Sequence, residues 1–391
     1  MRDFDSWGFV SPSEANHVRL DYTAPDFVRE VIGDLGRTED VKFSPKNTRL
    51  AVSSFSKNQL AIFDVSITHT TYGPRIALTD VARIASCHLK GPHGVDFIDD
   101  ERVVVANRDG DVTIFALPRE LGGSCHLMHP TQVIRSGQLV KGPGAVSVTG
   151  REGNRYEILV CNNYADTVTK HWVSLSEEST KAELLLRKWI NFPDALSASD
   201  NWIAVSNHRC RNVLLYNRTQ SLNETSVPDG ILRYIYRPHG VRFTSDGRFL
   251  LVADYETPYL HIYERDKLGW RGVRGPTLLL RVMSNEVFLR GPSHGPGVKG
   301  VDIDQSSKTL VTTGEIQPLA FFNFAAIVEE IGSSEKNEQR DWQIAYELYR
   351  AADEPNELEI VRAFLNSTSW RITAPLRWVG SFFSRNRGKR T

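Results

Sequence analysis

The stretch that decides the fold is Arg237–Tyr263, which reads RPHGVRFTSDGRFLLVADYETPYLHIY. Apolar and polar residues alternate around Val241 and Phe243, as in a half-buried β-strand. The Ser-Asp-Gly sequence that follows favours a tight turn, because Asp bonds its own backbone and Gly accepts a positive φ. The apolar run Phe249–Ala253 and a segment that begins at Leu260 predict two further strands. Three such strands are only marginally stable alone, so we expect them to pack against neighbours.

The same pattern occurs six times along the chain. The first apolar residues of successive copies are 45–60 residues apart. The other five copies are Glu39–Phe63, His93–Phe115, Gly144–Val173, Asp194–Tyr216 and Lys299–Phe324. A repeat of this length with three or four strands per unit is typical of a β-propeller. The sequence therefore predicts an all-β fold, a six-bladed β-propeller of four-stranded blades with a C-terminal helical tail.

The domain boundaries follow from where the repeats begin and end. We expect residues 39–326 to form the propeller. Part of the N-terminal segment 1–38, with a strand at Asp26–Ile32 as the candidate, should close the ring by adding the outer strand of the last blade. Residues 327–354 predict an acidic linker and a helix, and residues 355–391 a basic amphipathic tail.

Composition narrows the class of protein. The 391 residues carry 47 basic and 47 acidic side chains, so net charge does not indicate a nucleic-acid partner. The N-terminus has no signal-peptide pattern, and no apolar run approaches the roughly 20 residues of a membrane span. We therefore expect a cytoplasmic protein. The four cysteines have no disulfide or metal spacing, which predicts reduced thiols packed as small apolar residues: Cys87, Cys125, Cys161 and Cys210.

The repeat brings polar residues to one end of the central channel. The innermost strand of a blade and the next strand are antiparallel, so the start of the first and the end of the second lie at the same end. The strand starts carry Glu39 or Asp40, His93, Asp194 and His239. The second-strand ends carry Ser53, Asn107, Asn162 or Asn163, Asn207, Asp254 and Glu315. The residues that we expect to bind a small polar ligand are His93, Asn107, Asp194, Asn207, His239 and Glu315.

Two histidines among carboxylates and amides could hold a divalent metal such as Ca²⁺, Mn²⁺ or Zn²⁺. The predicted ligands are His93, His239, Asp254 and Asn162. A structural role is the alternative for each of them. Asn and Asp after a strand often cap backbone groups, and the histidine of a Pro-His-Gly sequence could bond the neighbouring blade.

The repeats resemble those of the six-bladed lactonase, NHL-type and lyase propellers. The segment HGVRFTSDGRFLLVADYE resembles gluconolactonase and regucalcin, in which an Asn-Gly precedes the strand and an Asp ends the next one. The resemblance implies that Asp254 is a metal ligand and that Asn162 or Asn163 matches the family's Asn ligand. His239 replaces the other Asn, and the family's N-terminal Glu-Gly-Pro motif is absent. The Pro-His-Gly sequences at His93 and His239 also resemble the His-ligated amidating lyases.

The C-terminal segment Phe364–Gly380, FLNSTSWRITAPLRWVG, resembles a segment at the ends of many bacterial glycosyltransferases and other surface-polysaccharide cluster proteins. This resemblance implies a setting in glycan assembly, with a glycan-assembly protein as partner. Aromatic and basic residues interleave in this tail, which suits an anionic membrane surface at the inner face of the membrane. Packing of the tail on the propeller is the alternative. The expected membrane or partner contacts are Trp370, Arg371, Arg377, Trp378, Phe382 and Phe383.

Two functions follow from these observations. The first is a non-catalytic ligand- or partner-binding propeller that serves bacterial surface-glycan assembly. The second is a metal-dependent hydrolase or lyase, similar to a lactonase, that acts on a sugar-derived small molecule at the central channel.

Overall fold

A computed structural model describes residues 13–14, 17–135, 137, 139–176 and 180–333 of the chain. It confirms the six-bladed β-propeller. Six antiparallel sheets, numbered blades 1 to 6 in chain order, surround a central channel. The innermost strands follow one another in chain order around the channel, and the innermost strand of blade 6 contacts that of blade 1.

Each blade has four strands, ordered from the innermost outward. Blade 1 comprises Thr38–Phe43, Arg49–Ser54, Gln59–Thr70 and Gly73–Ala85; blade 2 comprises Pro92–Asp99, Arg102–Asn107, Val112–Ala116 and Gln132–Ile134. Blade 3 comprises Pro143–Glu152, Arg155–Asn162, Thr167–Ser174 and Thr180–Leu186; blade 4 comprises Pro193–Ala198, Trp202–Asn207, Asn212–Asn217 and Gly230–Leu232. Blade 5 comprises Pro238–Phe243, Phe249–Asp254, Tyr259–Glu264 and Leu278–Arg281; blade 6 comprises Gly300–Ile303, Thr309–Thr313, Ala320–Asn323 and Arg19–Leu20.

Shorter elements cover the edges of several blades. Ser13–Glu14 pairs with the outermost strand of blade 5, and Gly272–Arg274 pairs with that of blade 4. Tyr22–Thr23 and Cys125–Leu127 both pair with the outermost strand of blade 1. The helices are Asp26–Gly33, Asn285–Leu289 and Phe324–Ser333, with a 3₁₀ turn at Asn163–Ala165. Among the described residues, none of the helices has the length and apolar character needed to cross a membrane.

The N-terminal segment closes the ring with Arg19–Leu20, which pairs with the third strand of blade 6. Asp26–Gly33 is a helix and not the predicted strand. Val28, Val31 and Ile32 share one helical face, and they are buried against the apolar cluster between blades 1 and 6. The apolar residues after Pro25 are spaced as on one face of a helix, and this spacing explains why the segment is helical.

Adjacent blades are joined by apolar packing and by polar contacts beside the channel. In the described part of the chain, the buried apolar clusters each mix residues of two adjacent blades. On alternate innermost strands, a buried side chain accepts a hydrogen bond from the next blade's backbone. These bonds are Val148 N to Asp96 (2.8 Å), Phe243 N to Ser197 (3.1 Å) and Phe43 N to Asp302 (2.7 Å). The blades are thereby held in a fixed register around the channel.

Residues 334–391 lie outside the described part of the chain. The tail residues Trp370, Arg371, Arg377, Trp378, Phe382 and Phe383 are among them.

Candidate functional site

Equivalent residues of the six blades meet where the innermost strands begin. Each residue lies two positions before the first apolar residue of its repeat: Glu39, His93, Gly144, Asp194, His239 and Lys299. In blades 1 to 5 the pairing register of the innermost strand is interrupted at this position. Such an irregularity bends a strand and re-aims its side chains. The interruption explains how successive blades direct polar groups at one point.

The glycine of each Pro-His-Gly sequence allows the next blade to approach. A Cβ atom on Gly94 would lie 2.5 Å from Ala145 Cα, and one on Gly240 would lie 2.5 Å from Lys299 O. Only glycine fits at such a distance. The backbones of adjacent blades therefore touch beside each histidine, and the ring is narrow at this level.

His93 and His239 each bond the next blade and also face the channel. His93 Nδ1 is 2.7 Å from Gly144 O, and His239 Nδ1 is 3.1 Å from Lys299 O. A carbonyl oxygen only accepts, so both Nδ1 atoms donate. The Nε2 atoms point into the channel, with ring centroids 5.1 Å apart.

Glu39 lies between the two histidines and is fully buried. Its Oε1 atom pairs with Arg37 and lies 3.5 Å from Lys299 Nζ. Its Oε2 atom is 3.6 Å from His93 Nε2 and 3.2 Å from His239 Nε2. No well-aligned hydrogen bond reaches Oε2 from the residues that the structure describes. Burial raises the pKa of Glu39, but the nearby His93, His239 and Lys299 outweigh it and hold the pKa well below its usual value.

Asp194 faces Glu39 across the channel. Its Oδ1 atom accepts hydrogen bonds from Arg108 (2.7 Å) and Asn163 (2.6 Å). Its Oδ2 atom lies 3.1 Å from His239 Nε2 and 3.7 Å from His208 Nδ1. Burial opposes ionisation, yet His239 and Arg108 in particular hold the pKa of Asp194 well below its usual range. Both carboxyl groups are therefore ionised at neutral pH.

The two channel histidines differ in their surroundings. Arg108 donates to His93 Nε2 at 2.6 Å, and burial followed by this positive charge lowers the pKa of His93 to about 3. His93 is thus a neutral imidazole with its lone pair on Nε2. His239 Nε2 instead faces Glu39 and Asp194 oxygens at 3.2 and 3.1 Å. A lone pair would be repelled there, so this position requires either a proton on Nε2 or a cation.

We call Glu39, His93, Asp194 and His239 the axial cluster. The cavity beside it has a volume of about 10 Å³, measured as space open to the centre of a water molecule. One ion or one water fits in such a space. Residues that follow the second strands surround the cluster: Phe55, Arg108, Asn163, His208 and Tyr255. Burial, followed by Glu256, raises the pKa of Tyr255 to about 12, so its hydroxyl keeps its proton.

Among the predicted residues, the structure brings His93, Asp194 and His239 together. Glu39 joins them, whereas the side chain of Asp40 accepts from Val95 N at 3.1 Å. Glu315 is half-buried at the rim, with a carboxylate oxygen 4.0 Å from Lys299 Nζ.

The second-strand residues Asn107, Asn162, Asn207 and Asp254 do not reach the axial cluster. Each accepts a backbone N–H from the residue two positions before the innermost strand of its own blade. The donors are Lys90 (3.3 Å), Lys141 (3.1 Å), Asn191 (2.8 Å) and Tyr236 (2.7 Å), respectively. These four side chains hold the loop that leads into the innermost strand. The sequence-predicted metal ligands Asp254 and Asn162 are thus replaced at the channel by residues one position later, because a step of one residue reverses the side-chain direction.

Sequence reasoning missed Lys299 and Arg108, although the repeat contains a signal for both. Lys299 lies two residues before Val301, the spacing of His93 before Val95. Arg108 lies one residue after Asn107, as Asn163 follows Asn162 and His208 follows Asn207. Strict counting within the repeat would have found them.

The other end of the channel is different. The innermost strands of blades 4 to 6 finish around an open cavity of about 420 Å³, which is also lined by the middle of the innermost strand of blade 3. Its lining is mainly hydroxyl-bearing and charged, including Ser147, Ser199, Thr244, Ser245, Asp200 and Arg218. A small ligand fits in a cavity of this size. We call this the open end of the channel, and the end with the axial cluster the closed end.

Comparison with known proteins finds neither a matching family model nor a similar curated protein for this chain.

Proposed function

We propose that this protein binds a divalent metal ion at the axial cluster and is a metal-dependent hydrolase or lyase. Its substrate would be a small, negatively charged, sugar-derived molecule that approaches from the closed end. Glu39 Oε2 carries the proposal. This buried, ionised oxygen accepts no well-aligned hydrogen bond from the described part of the chain, and it lies where two imidazole Nε2 atoms converge.

Glu39, His93 and His239 would hold the ion. One ligand atom from each of these residues lies within 4.8 Å of the other two. Two histidines and one glutamate are the ligand set of several catalytic zinc sites, which keep a position open. When bound, such an ion polarises a carbonyl group or lowers the pKa of water. Arg108 would withdraw from His93 Nε2 and keep its bond to Asp194.

Asp194 would orient a reacting water or a substrate hydroxyl. Arg108 and Asn163 occupy its Oδ1 atom, whereas Oδ2 faces the axis beside His239. An ionised carboxylate in this position accepts a hydrogen bond, but its pKa, held well below the usual range, makes it a weak base. Asp194 would therefore be a positioning group and neither the general base nor a fourth ligand.

Cations around the cluster favour an anionic substrate. Arg37, Arg108 and Lys299 contact Glu39 and Asp194, and Lys299 also lies 4.0 Å from Glu315, so three positive charges face three negative ones. A bound divalent ion would make the cluster positive overall. The Arg37 side chain is 43% exposed and is accessible from solvent. Arginine and lysine bind carboxylate and phosphate groups strongly. Arg37 would orient the acidic group of the substrate.

A second candidate is the non-catalytic ligand- or partner-binding propeller. It is favoured by the contrast between about 10 Å³ beside the axial cluster and about 420 Å³ at the open end. In this case the axial cluster joins the blades, and a polar ligand binds at the open end. A role in surface-glycan assembly and contact with a membrane or partner remain predictions from the sequence, because the C-terminal tail that carries them lies outside the described residues. A cytoplasmic location likewise remains a prediction from the sequence.

Metal binding is tested with the full chain. Ca²⁺, Mn²⁺ and Zn²⁺ are each titrated into wild type, Glu39→Gln and Asp200→Asn, with melting temperature and bound metal as readouts. We expect at least one ion to raise the melting temperature of wild type and of Asp200→Asn but not of Glu39→Gln. Absence of bound metal and of any shift with all three ions would contradict the proposal.

Catalysis is tested on a panel of sugar lactones, esters and uronic acids. With metal bound, Asp194→Asn should lower turnover by about 10²-fold, as for loss of a group that positions the reacting water or substrate. Metal binding without turnover of any panel member would favour the non-catalytic candidate.

A further inference from the structure

A second group of metal-ligating side chains lies outside the channel, at the junction of blades 1 and 2. The Cys87 thiol and one ring nitrogen each of His88 and His129 lie within 4.8 Å of one another. Cys87 and His129 are exposed, and His88 is half-buried. This group shares no residue with the axial cluster, so it is an independent feature of the fold.

Two neighbouring loops hold these side chains in place. Cys87 and His88 lie in a turn that Leu89 N closes on Ser86 O at 3.1 Å. His129 follows Cys125–Leu127, a strand that pairs in parallel with the outermost strand of blade 1. Met128 N extends that pairing with a bond to Ala85 O at 2.9 Å.

Buried apolar residues also hold the same two loops in place. Leu89 is buried, and Met128 packs against the apolar cluster between blades 1 and 2. The three ligating side chains are therefore placed by the fold and not by a metal ion. Only side-chain rotations are needed to bring them to coordination distance.

The chemistry of the group selects the ion. We propose that Cys87, His88 and His129 bind Zn²⁺, with a fourth coordination position open to solvent. A thiolate with two imidazoles suits Zn²⁺, whereas Ca²⁺ and Mg²⁺ prefer oxygen ligands. Zinc holds sulfur at about 2.3 Å and imidazole nitrogen at about 2.0 Å, so tetrahedral ligand atoms lie roughly 3–4 Å apart. The three groups are already close to this spacing.

The fourth coordination position would be open to other molecules. It faces solvent, so water or a side chain of another protein can complete the coordination. The loops lie on the same face of the propeller as the closed end, because each blade's outermost strand ends on the face where the innermost strands begin. A zinc ion at this point would lie beside the closed end.

Cobalt provides a selective probe, because only a thiolate ligand gives a sulfur-to-cobalt charge-transfer band in the near ultraviolet. Co²⁺ is titrated into the reduced full chain, and Zn²⁺ is then added to displace it. We expect the band in wild type and in Cys125→Ser, which removes the other exposed cysteine. We expect no band in Cys87→Ser and at least tenfold weaker binding in His129→Ala. Absence of the band in wild type, or its persistence in Cys87→Ser, would overturn the proposal.

Alkylation of the wild-type chain gives a second measurement that needs no variant. Zn²⁺ should slow modification of Cys87 but not of Cys125, as read by mass spectrometry of the two peptides. Equal rates at Cys87 with and without Zn²⁺ would contradict the site. The Glu39→Gln variant should keep both the band and the protection, so loss of the axial site and loss of this one are distinguishable.

Discussion

The two ends of the central channel are formed by the same innermost strands, yet they differ in access and in the histidines at the closed end. At the closed end, ionised Glu39 and Asp194 lie among histidines and three cations, with room for one ion or water. At the open end, hydroxyl-bearing and charged side chains line a cavity of about 420 Å³. Interrupted strand pairing re-aims side chains into the channel at the closed end.

The buried carboxylates at the closed end affect the stability of the fold. Removing two carboxylates from water is costly unless their partners are well placed. An apolar ring would have joined the blades without that cost. A buried set of ionised groups is therefore an indication of function. The open end also has buried charges, because Arg242 pairs with Asp302 at 2.6 Å and Asp304 accepts hydrogen bonds from backbone N–H groups. The two ends therefore differ in access and in the histidines at the closed end, and not in the presence of buried charge.

Asp194→Asn is expected to cause the largest loss in the free energy of unfolding. This change removes the charge that faces Arg108, His239 and His208, and loss of one partner in a buried ionic network costs about 3–5 kcal/mol. The control is Asp200→Asn, because Asp200 follows the same innermost strand at its other end and is exposed. Urea denaturation should give a change within about 0.5 kcal/mol for the control. Equal losses in both variants would remove the contrast between the two ends.

A smaller change in the free energy of unfolding is expected when pH changes. It comes from Asp40, which lies just inside the closed end. Burial raises its pKa to about 6, despite Lys42 and two backbone N–H groups. A carboxyl group whose pKa is higher in the folded state favours folding below its unfolded pKa of about 4. That contribution is lost as pH rises through 6.

The matching variant is Asp40→Asn, which cannot titrate. Relative to this variant, wild type should lose on the order of 1 kcal/mol between pH 4.5 and pH 7.5, since Asp40 is only partly shielded from water in the channel. Free energies of unfolding measured at both pH values decide the point. A constant difference between the two proteins would show that Asp40 ionises as freely as in water.

The fold could be predicted because its signal is repeated. Each copy carries alternating apolar residues and turn residues, so errors in one copy are corrected by the others. Asp26–Gly33 had no such support. Val28, Val31 and Ile32 fit a helix, but the segment lies outside the repeat and its partner, the surface between blades 1 and 6, is far away in sequence.

The candidate site could be predicted only in part. His93 and His239 were found because the Pro-His-Gly sequence marks the strand start twice. Asn107 and Asp254 do end the second strands, as predicted, but their side chains bond the loop before the innermost strand. The residue that follows each of them lies at the channel, and the sequence pattern did not indicate which of the two side chains would face it. The convergence of Cys87 with His129 could not be foreseen, because it depends on the parallel pairing of Cys125–Leu127 with blade 1.

Ser199→Trp at the open end is expected to cause the smallest change in the free energy of unfolding. Ser199 lines the open cavity, and an indole there can extend into about 420 Å³ of space without displacing a neighbour. Substitutions away from buried networks usually change stability by less than about 0.5 kcal/mol. Urea denaturation should therefore give nearly the wild-type value, while binding of any polar ligand at the open end is blocked. A loss as large as that of Asp194→Asn would mean that the open end is packed as tightly as the axial cluster, and the difference in access between the two ends would then not exist.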